Sequence, residues 1–168
     1  MRLLDAPDYQ PAATALYDKL ADEFRRLLPD AVIEHIGSSA VPGVISKGDL
    51  DVFVGVRPDH FAAAARAIWS AGFHLKQGTL RTPQLNYFTS DDYPIDVGIQ
   101  LVELGSRFEF FRIFRDLLRS DESLRNRYNQ AKKEAAALDE DGYRDRKTKF
   151  IEAALREPEQ HPIASAQS

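Results

Sequence analysis

The chain has 168 residues, 43% of them hydrophobic, and no cysteine, which is enough for one domain with a true core and excludes disulfide frameworks, thiol catalysis and thiolate metal sites. A net charge of −4 argues against a broad electrostatic footprint for nucleic acid, which is disfavoured as a partner. The negative excess lies entirely in residues 1–100; no apolar signal segment opens the chain and no stretch is apolar enough to span a bilayer, so the expectation is a cytoplasmic protein without membrane contact.

Residues 11–28 predict a helix, with Leu16, Leu20, Phe24 and Leu27 at helical spacing and Pro29 ending it. Residues 32–36 read as a strand that closes on a Gly37-Ser38-Ser39 turn. From Asp49 onward, the β-branched and aromatic run Val52-Phe53-Val54-Gly55-Val56 predicts a strand buried on both faces, with carboxylates at its leading end. Pro58 suits the first turn of a second helix, whose apolar stripe is Phe61, Ala64, Ala65, Ile68 and Trp69 and whose stop is Gly72. Short strands at 73–77 and 84–89 surround turns at Gly78 and Pro83, and residues 93–102 predict a longer strand carrying one acid, Asp96. From Gly105 to about Arg156 the pattern is helical in two or three segments, and residues 161–168 read as a frayed tail. The expected fold class is α/β (α+β): a mixed sheet of about five strands with packed helices over residues 1–104, and a C-terminal helical annex over 105–168.

Chemistry concentrates between residues 37 and 51. Strand alternation puts Asp49 and Asp51 on one side, about 7 Å apart by strand rise. Buried there, they repel each other unless a cation lies between them, which points to Mg²⁺ or Mn²⁺. Ten residues earlier, a Gly37-Ser38-Ser39 turn after a strand offers backbone N–H groups and hydroxyls to phosphate oxygens, and a Cβ at position 37 would block that approach. Asp96 on the later strand can complete the metal site or take a proton from an attacking hydroxyl. Lys47 either pairs with the carboxylates or reaches a phosphate. Arg112, Arg115 and Arg119 share one helix face opposite Phe108, Phe111, Phe114 and Leu118, either as a solvated stripe or as an anion site. The four histidines have no ligand spacing, and His35 reads as a satisfied strand residue. No P-loop, dinucleotide-binding or nucleophile-elbow motif is present.

Gly37-Ser38, the ten-residue gap, Asp49-Leu50-Asp51 and Asp96 resemble the signature of the nucleotidyltransferase superfamily that includes DNA polymerase β. The longer pattern is similar to the GrpB family: residues 35–43 (HIGSSAVPG), Lys47, residues 114–119 (FRDLLR), Tyr128 and residues 143–151 (YRDRKTKFI). Many members of that family carry Lys-Pro and two aliphatics before a single Asp, and His-x-His on the later strand. Here those places read Lys47-Gly48-Asp49-Leu50-Asp51 and Asp96-Val97-Gly98, closer to a three-carboxylate site. The resemblance implies a nucleotidyltransferase-like core in which Asp49, Asp51 and Asp96 bind metal and carry catalysis. It further implies that Gly37, Ser38, Ser39 and Lys47 bind a nucleoside triphosphate and that Arg115, Tyr143 and Lys147 bind substrate. The expected activity is metal-dependent transfer of a nucleotidyl group to an unidentified small-molecule or protein acceptor. A nucleotide-binding module without turnover and a Mg²⁺-dependent phosphohydrolase are the alternatives.

Overall fold

A computed structural model describes residues 1–157; the tail expected at 161–168 lies outside the described residues. The first helix, α1 (Ala6–Leu27), starts at Ala6 rather than Pro11. Pro7 occupies its first turn, where a missing N–H costs nothing, and Pro11 is carried inside the helix on its exposed side. β1 (Val32–Ile36), β2 (Leu50–Val56), α2 (Phe61–Ser70), β3 (His74–Leu75), β4 (Leu85–Ser90) and β5 (Val97–Glu103) follow, and then α3 (Phe110–Ser120), α4 (Glu122–Ala135) and α5 (Glu140–Arg156). The five strands form one mixed sheet in the order β1-β2-β5-β4-β3, in which β2 and β5 run parallel and the other neighbours antiparallel. β5 is shorter than the expected 93–102 because Pro94 cannot donate to a ladder and residues 91–95 bend. No helix among the described residues is long and apolar enough to cross a membrane.

The sheet has two unlike faces. Leu50, Val52, Val54 and Val56, with Val97, Ile99 and Leu101 of β5, pack against Leu20 and Phe24 of α1 and Ala64 and Ile68 of α2. Alternation sends Asp51, Phe53, Gly98, Gln100 and Val102 the other way, since the parallel register pairs Asp51 with Gly98 and Phe53 with Gln100. Away from the leading end of β2 this face is apolar, with Phe53 and Val102 joined by Ile36, Leu85 and Phe108. At the leading end it is acidic.

Between the Gly37 turn and β2 runs a loop that the helical annex covers. Val41 and Val44 are buried among Phe114, Leu118, Leu124, Tyr128 and Ala154 of α3, α4 and α5. Polar groups from distant parts of the chain tie down its backbone. The Tyr9 hydroxyl donates to the Val44 carbonyl at 2.7 Å and Gln10 Nε2 to the Val41 carbonyl at 2.7 Å. Asn129 of α4 accepts from Ile45 N–H at 3.0 Å and donates to the Gly43 carbonyl at 2.8 Å. Leu4 and Ser46 exchange backbone bonds at 2.7 and 3.1 Å. Replacing Asn129 by Ala leaves the buried Ile45 N–H without a partner, so urea unfolding should show a loss of about 2 kcal/mol with unchanged helix content.

Candidate functional site

Three segments meet at the acidic end of the sheet. The first is the turn after β1: Gly37 has φ +73°, a left-handed conformation that favours glycine, and Ser38–Ala40 form one 3-10 turn. A Cβ on Gly37 would lie 2.5 Å from Asp51 Oδ2, so close packing of the turn on the carboxylate also requires glycine. Behind the turn, His35 stacks on Tyr17 with ring centroids 4.6 Å apart, and its Nε2 lies 2.8 Å from Ser39 Oγ. Burial, then the charges of Arg119 and Arg115, push His35 down to about 4, so it is neutral and structural. Ser39 is buried with its hydroxyl committed to His35, so of the two serines expected at phosphate only Ser38 has its hydroxyl turned to the other site groups.

The second segment carries the carboxylates. Asp51 is pushed up to about 6, first by burial and then by the charge of Asp49, while Gln100 Nε2 donates to its Oδ1 at 3.1 Å. Burial alone would raise Asp49 as well, but Lys147, the Ser46 hydroxyl bonded at 2.6 Å and Lys47 outweigh it, and Asp49 is held below its ordinary value. Lys47 itself is exposed. Asp96 does not join the pair. It precedes β5, is exposed, and its carbonyl accepts from Leu50 N–H at 2.9 Å. One position before the Leu50–Val97 pair, it is a neighbour of Asp49 rather than of Asp51, and both border a cavity of about 380 Å³ with Tyr9, Lys47 and Tyr93.

The third segment is the annex, which contributes two lysines. Lys147 of α5 lies over the Tyr143 ring, 5.5 Å from its centroid. Burial, which alone would lower its pKa, is outweighed by the oxygens of Tyr128, Asp49, Tyr143 and Asp51, so Lys147 stays charged. Tyr143 is buried beneath it. Lys132 of α4 is 1% exposed and donates to Ser38 Oγ at 2.6 Å and to the Ile45 carbonyl. Burial and the repulsion of Lys147 bring it down to about 7. Neither lysine forms a salt bridge with either carboxylate, although both feel their charge.

The arginines of α3 turn toward β1 and the Gly37 turn; Arg115 is buried, Arg112 half-buried and Arg119 exposed. Arg115, 8% exposed, binds Glu34 at 2.7 Å, the His35 carbonyl at 2.9 Å and Asp116 at 2.8 Å. Arg112 also binds Glu34, at 3.0 Å, and Arg119 donates to the Ala40 carbonyl at 2.9 Å. Arg115 is therefore a clamp on β1, not a free substrate ligand.

Lys132, Tyr87 and Gln100 were not evident from the motifs. A signal for Lys132 exists, because Leu124, Tyr128, Lys132 and Ala135 make one buried helical stripe in which a lysine is out of place. Gln100 lies at even spacing from Asp96 and Gly98, on the face that alternation assigns to Asp51, and Tyr87 is its cross-strand partner.

Among the described residues no three His, Cys, Asp or Glu side chains gather closely enough to hold a metal ion by themselves. Mg²⁺, however, commonly takes only one or two protein carboxylates and completes its shell with substrate phosphates and water. Asp49 and Asp51 fit that demand: they are hard oxygen donors, and burial with mutual repulsion raises Asp51 in the absence of a cation between them.

A family profile described as GrpB protein matches residues 5–157. A UPF0157 protein of Vibrio cholerae is 43% identical over 155 residues, covering 92% of this chain and 82% of that protein. The crystal structure of conserved protein GrpB from Enterococcus faecalis is similar with a TM-score of 0.72 at 21% identity, over 92% of this chain and 97% of that one. Cid1 poly(U) polymerase with Mg 3'-dATP bound is similar in fold, with a TM-score of 0.52 at 20% identity over 75% of this chain and 42% of that chain. The sheet and its helices thus have a nucleotidyltransferase type of fold.

The raised Asp51 gives a signed pH dependence. A carboxyl whose folded pKa is raised destabilises the fold once ionised, so its penalty is absent below about pH 4 and complete above about pH 6. Metal-free Asp51→Asn should therefore melt higher than the parent at pH 7.5, with the difference vanishing as both are titrated to pH 4.

Proposed function

The chain belongs to the GrpB family, and on that footing we infer that it binds a nucleoside triphosphate with Mg²⁺ or Mn²⁺ at the Gly37 turn and transfers the nucleotidyl group to a small-molecule or protein acceptor. The observation that carries this reading is the arrangement of two annex lysines and two strand carboxylates around one glycine turn, with the lysines unpaired to the carboxylates. Asp49 and Asp51 would hold the metal of a metal–polyphosphate, and Lys132, Lys147 and the Gly37 turn would receive its phosphates. When bound, Mg²⁺ neutralises phosphate charge and the charge that develops on the departing pyrophosphate.

The chain's own groups do the rest. Ser38 Oγ accepts from Lys132, which leaves the serine proton to be donated to a phosphate oxygen. Lys147, kept charged by the oxygens around it, is a movable point charge for the transferring group. Asp96, on the cavity wall beside Asp49, takes the proton from an acceptor hydroxyl that enters there. The acceptor oxygen then bonds to the α-phosphorus and pyrophosphate leaves.

One observation favours a second reading, a nucleotide-binding module without turnover: the third acid does not join the pair. A screen of purified protein with each α-labelled nucleoside triphosphate, Mg²⁺ or Mn²⁺ and cell extract separates them. Label on an acceptor with pyrophosphate release supports transfer. Binding without pyrophosphate supports the module, and release of inorganic phosphate a phosphohydrolase. Under the transfer reading, Lys147→Met should lower kcat on the order of a hundredfold while changing nucleotide affinity far less.

A further inference from the structure

Asp51 is packed between two glycines, one beside each carboxylate oxygen. A Cβ on Gly37 would lie 2.5 Å from Oδ2, and a Cβ on Gly98, the register partner of Asp51, would lie 2.8 Å from Oδ1. The same Gly98 Cβ would be only 2.1 Å from the Tyr87 hydroxyl. The volume a side chain at 98 would fill is therefore taken by the tip of Tyr87, which reaches in from β4 and lies 3.5 Å from Asp51 Oδ1. Gln100, two residues along β5 on the same face, donates its Nε2 to that oxygen at 3.1 Å. Oδ1 is thus approached by two donors, Gln100 from the adjacent β5 and Tyr87 from β4 beyond it, whereas Oδ2 faces the Gly37 turn.

Gln100 has a second peculiarity. It is 4% exposed, and its Oε1 is buried without a hydrogen-bond partner. An unpartnered buried acceptor destabilises a fold, and a leucine of similar size would fill the same place without it. Gln100 is therefore poorly explained as a core residue and well explained by the bond it makes to Asp51. Lys76 Nζ lies 5.2 Å from the centroid of the Tyr87 ring, so this tyrosine is itself held in place at its exposed side.

We propose that Tyr87 and Gln100 are positioning residues that fix one oxygen of Asp51, so that the carboxylate presents Oδ2 alone to the metal and nucleotide at the Gly37 turn, and that Gly98 is the gap through which Tyr87 reaches it. The proposal rests on the metal and nucleotide reading given above. Outer partners of this kind orient a ligating carboxylate, and their loss weakens metal binding without removing a ligand.

The test uses Mn²⁺ as the probe, with its free concentration followed by electron paramagnetic resonance during titration of the full chain, with and without ATP. Tyr87→Phe removes one oxygen and no packing volume; Gln100→Leu removes the donor and the orphaned acceptor together. Each should weaken Mn²⁺ affinity about tenfold, and Gln100→Leu should keep or raise the metal-free Tm, a combination that a merely structural glutamine would not give. Gly98→Ala should weaken Mn²⁺ by more than either, because the added Cβ meets the Asp51 carboxylate as well as the Tyr87 hydroxyl. If the parent binds Mn²⁺ and the Tyr87→Phe and Gln100→Leu variants bind it equally well, the positioning role is overturned while the site stands. If the parent binds no Mn²⁺ with or without ATP, the metal and nucleotide reading fails and the positioning role falls with it. Should Gln100→Leu not fold, Tyr87→Phe alone decides between these outcomes.

Discussion

Asp49 and Asp51 share one side of the leading end of β2, where burial and mutual repulsion both oppose ionisation, and the rest of the molecule brings donors and positive charge to that point. Two unit charges about 7 Å apart at an effective dielectric near 20 repel by roughly 2 kcal/mol, a large fraction of a domain's net stability. The chain divides the problem. Asp49 is given Ser46, Lys47 and the field of Lys147, and is stabilised as an anion. Asp51 also feels Lys147 and Lys47, but its hydrogen-bond partners are the neutral donors Gln100 and Tyr87, and burial with the charge of Asp49 still holds it above its ordinary value. One pair of identical side chains thus acquires two characters from its surroundings.

The cations of the annex fall into two groups by the same logic. Arginine offers a planar fork suited to bridging several fixed acceptors, and Arg112, Arg115 and Arg119 use it to fasten α3 to Glu34, His35 and Ala40. Lysine is a compact charge on a flexible stem, and Lys132 and Lys147 are directed at the acids and the Gly37 turn without closing on a carboxylate. The first group builds the wall of the site and the second lines it.

Much of this was legible in the sequence because it depends on spacing along single elements. The Gly37 turn, the Asp49–Asp51 alternation, the five-strand mixed sheet and the helical annex all follow from local periodicity and turn chemistry. Lys147 is singled out by the family resemblance as a substrate residue, while its field on Asp49 and Asp51 comes from the packing of α5. What was not legible depends on pairings between elements. Asp96 has the spacing of a strand residue, but Pro94 and the bend over residues 91–95 make β5 begin one residue after it. Arg115 has the spacing of a surface stripe, and only the packing of α3 on β1 shows that Glu34 is its partner. Lys132 and Ser38, 94 residues apart, meet because α4 covers the loop, a fact no window of the sequence contains. Tyr87 and Gln100 are ordinary strand residues until register places them over Asp51.

The loop covered by the annex also bears on how the protein is made. Its fastenings to Asn129 and Lys132 span 84 to 94 residues, so during synthesis the acidic strand leaves the ribosome well before the helices that complete its surroundings. At about 5–20 residues per second this interval is roughly 5–20 s, during which the sheet has its two carboxylates but neither lysine. Nothing in the first hundred residues replaces them, since Lys47 is exposed and acts on Asp49 and Asp51 only through its field. The acidic end of the sheet is therefore completed only once α4 and α5, the last helices among the described residues, have emerged.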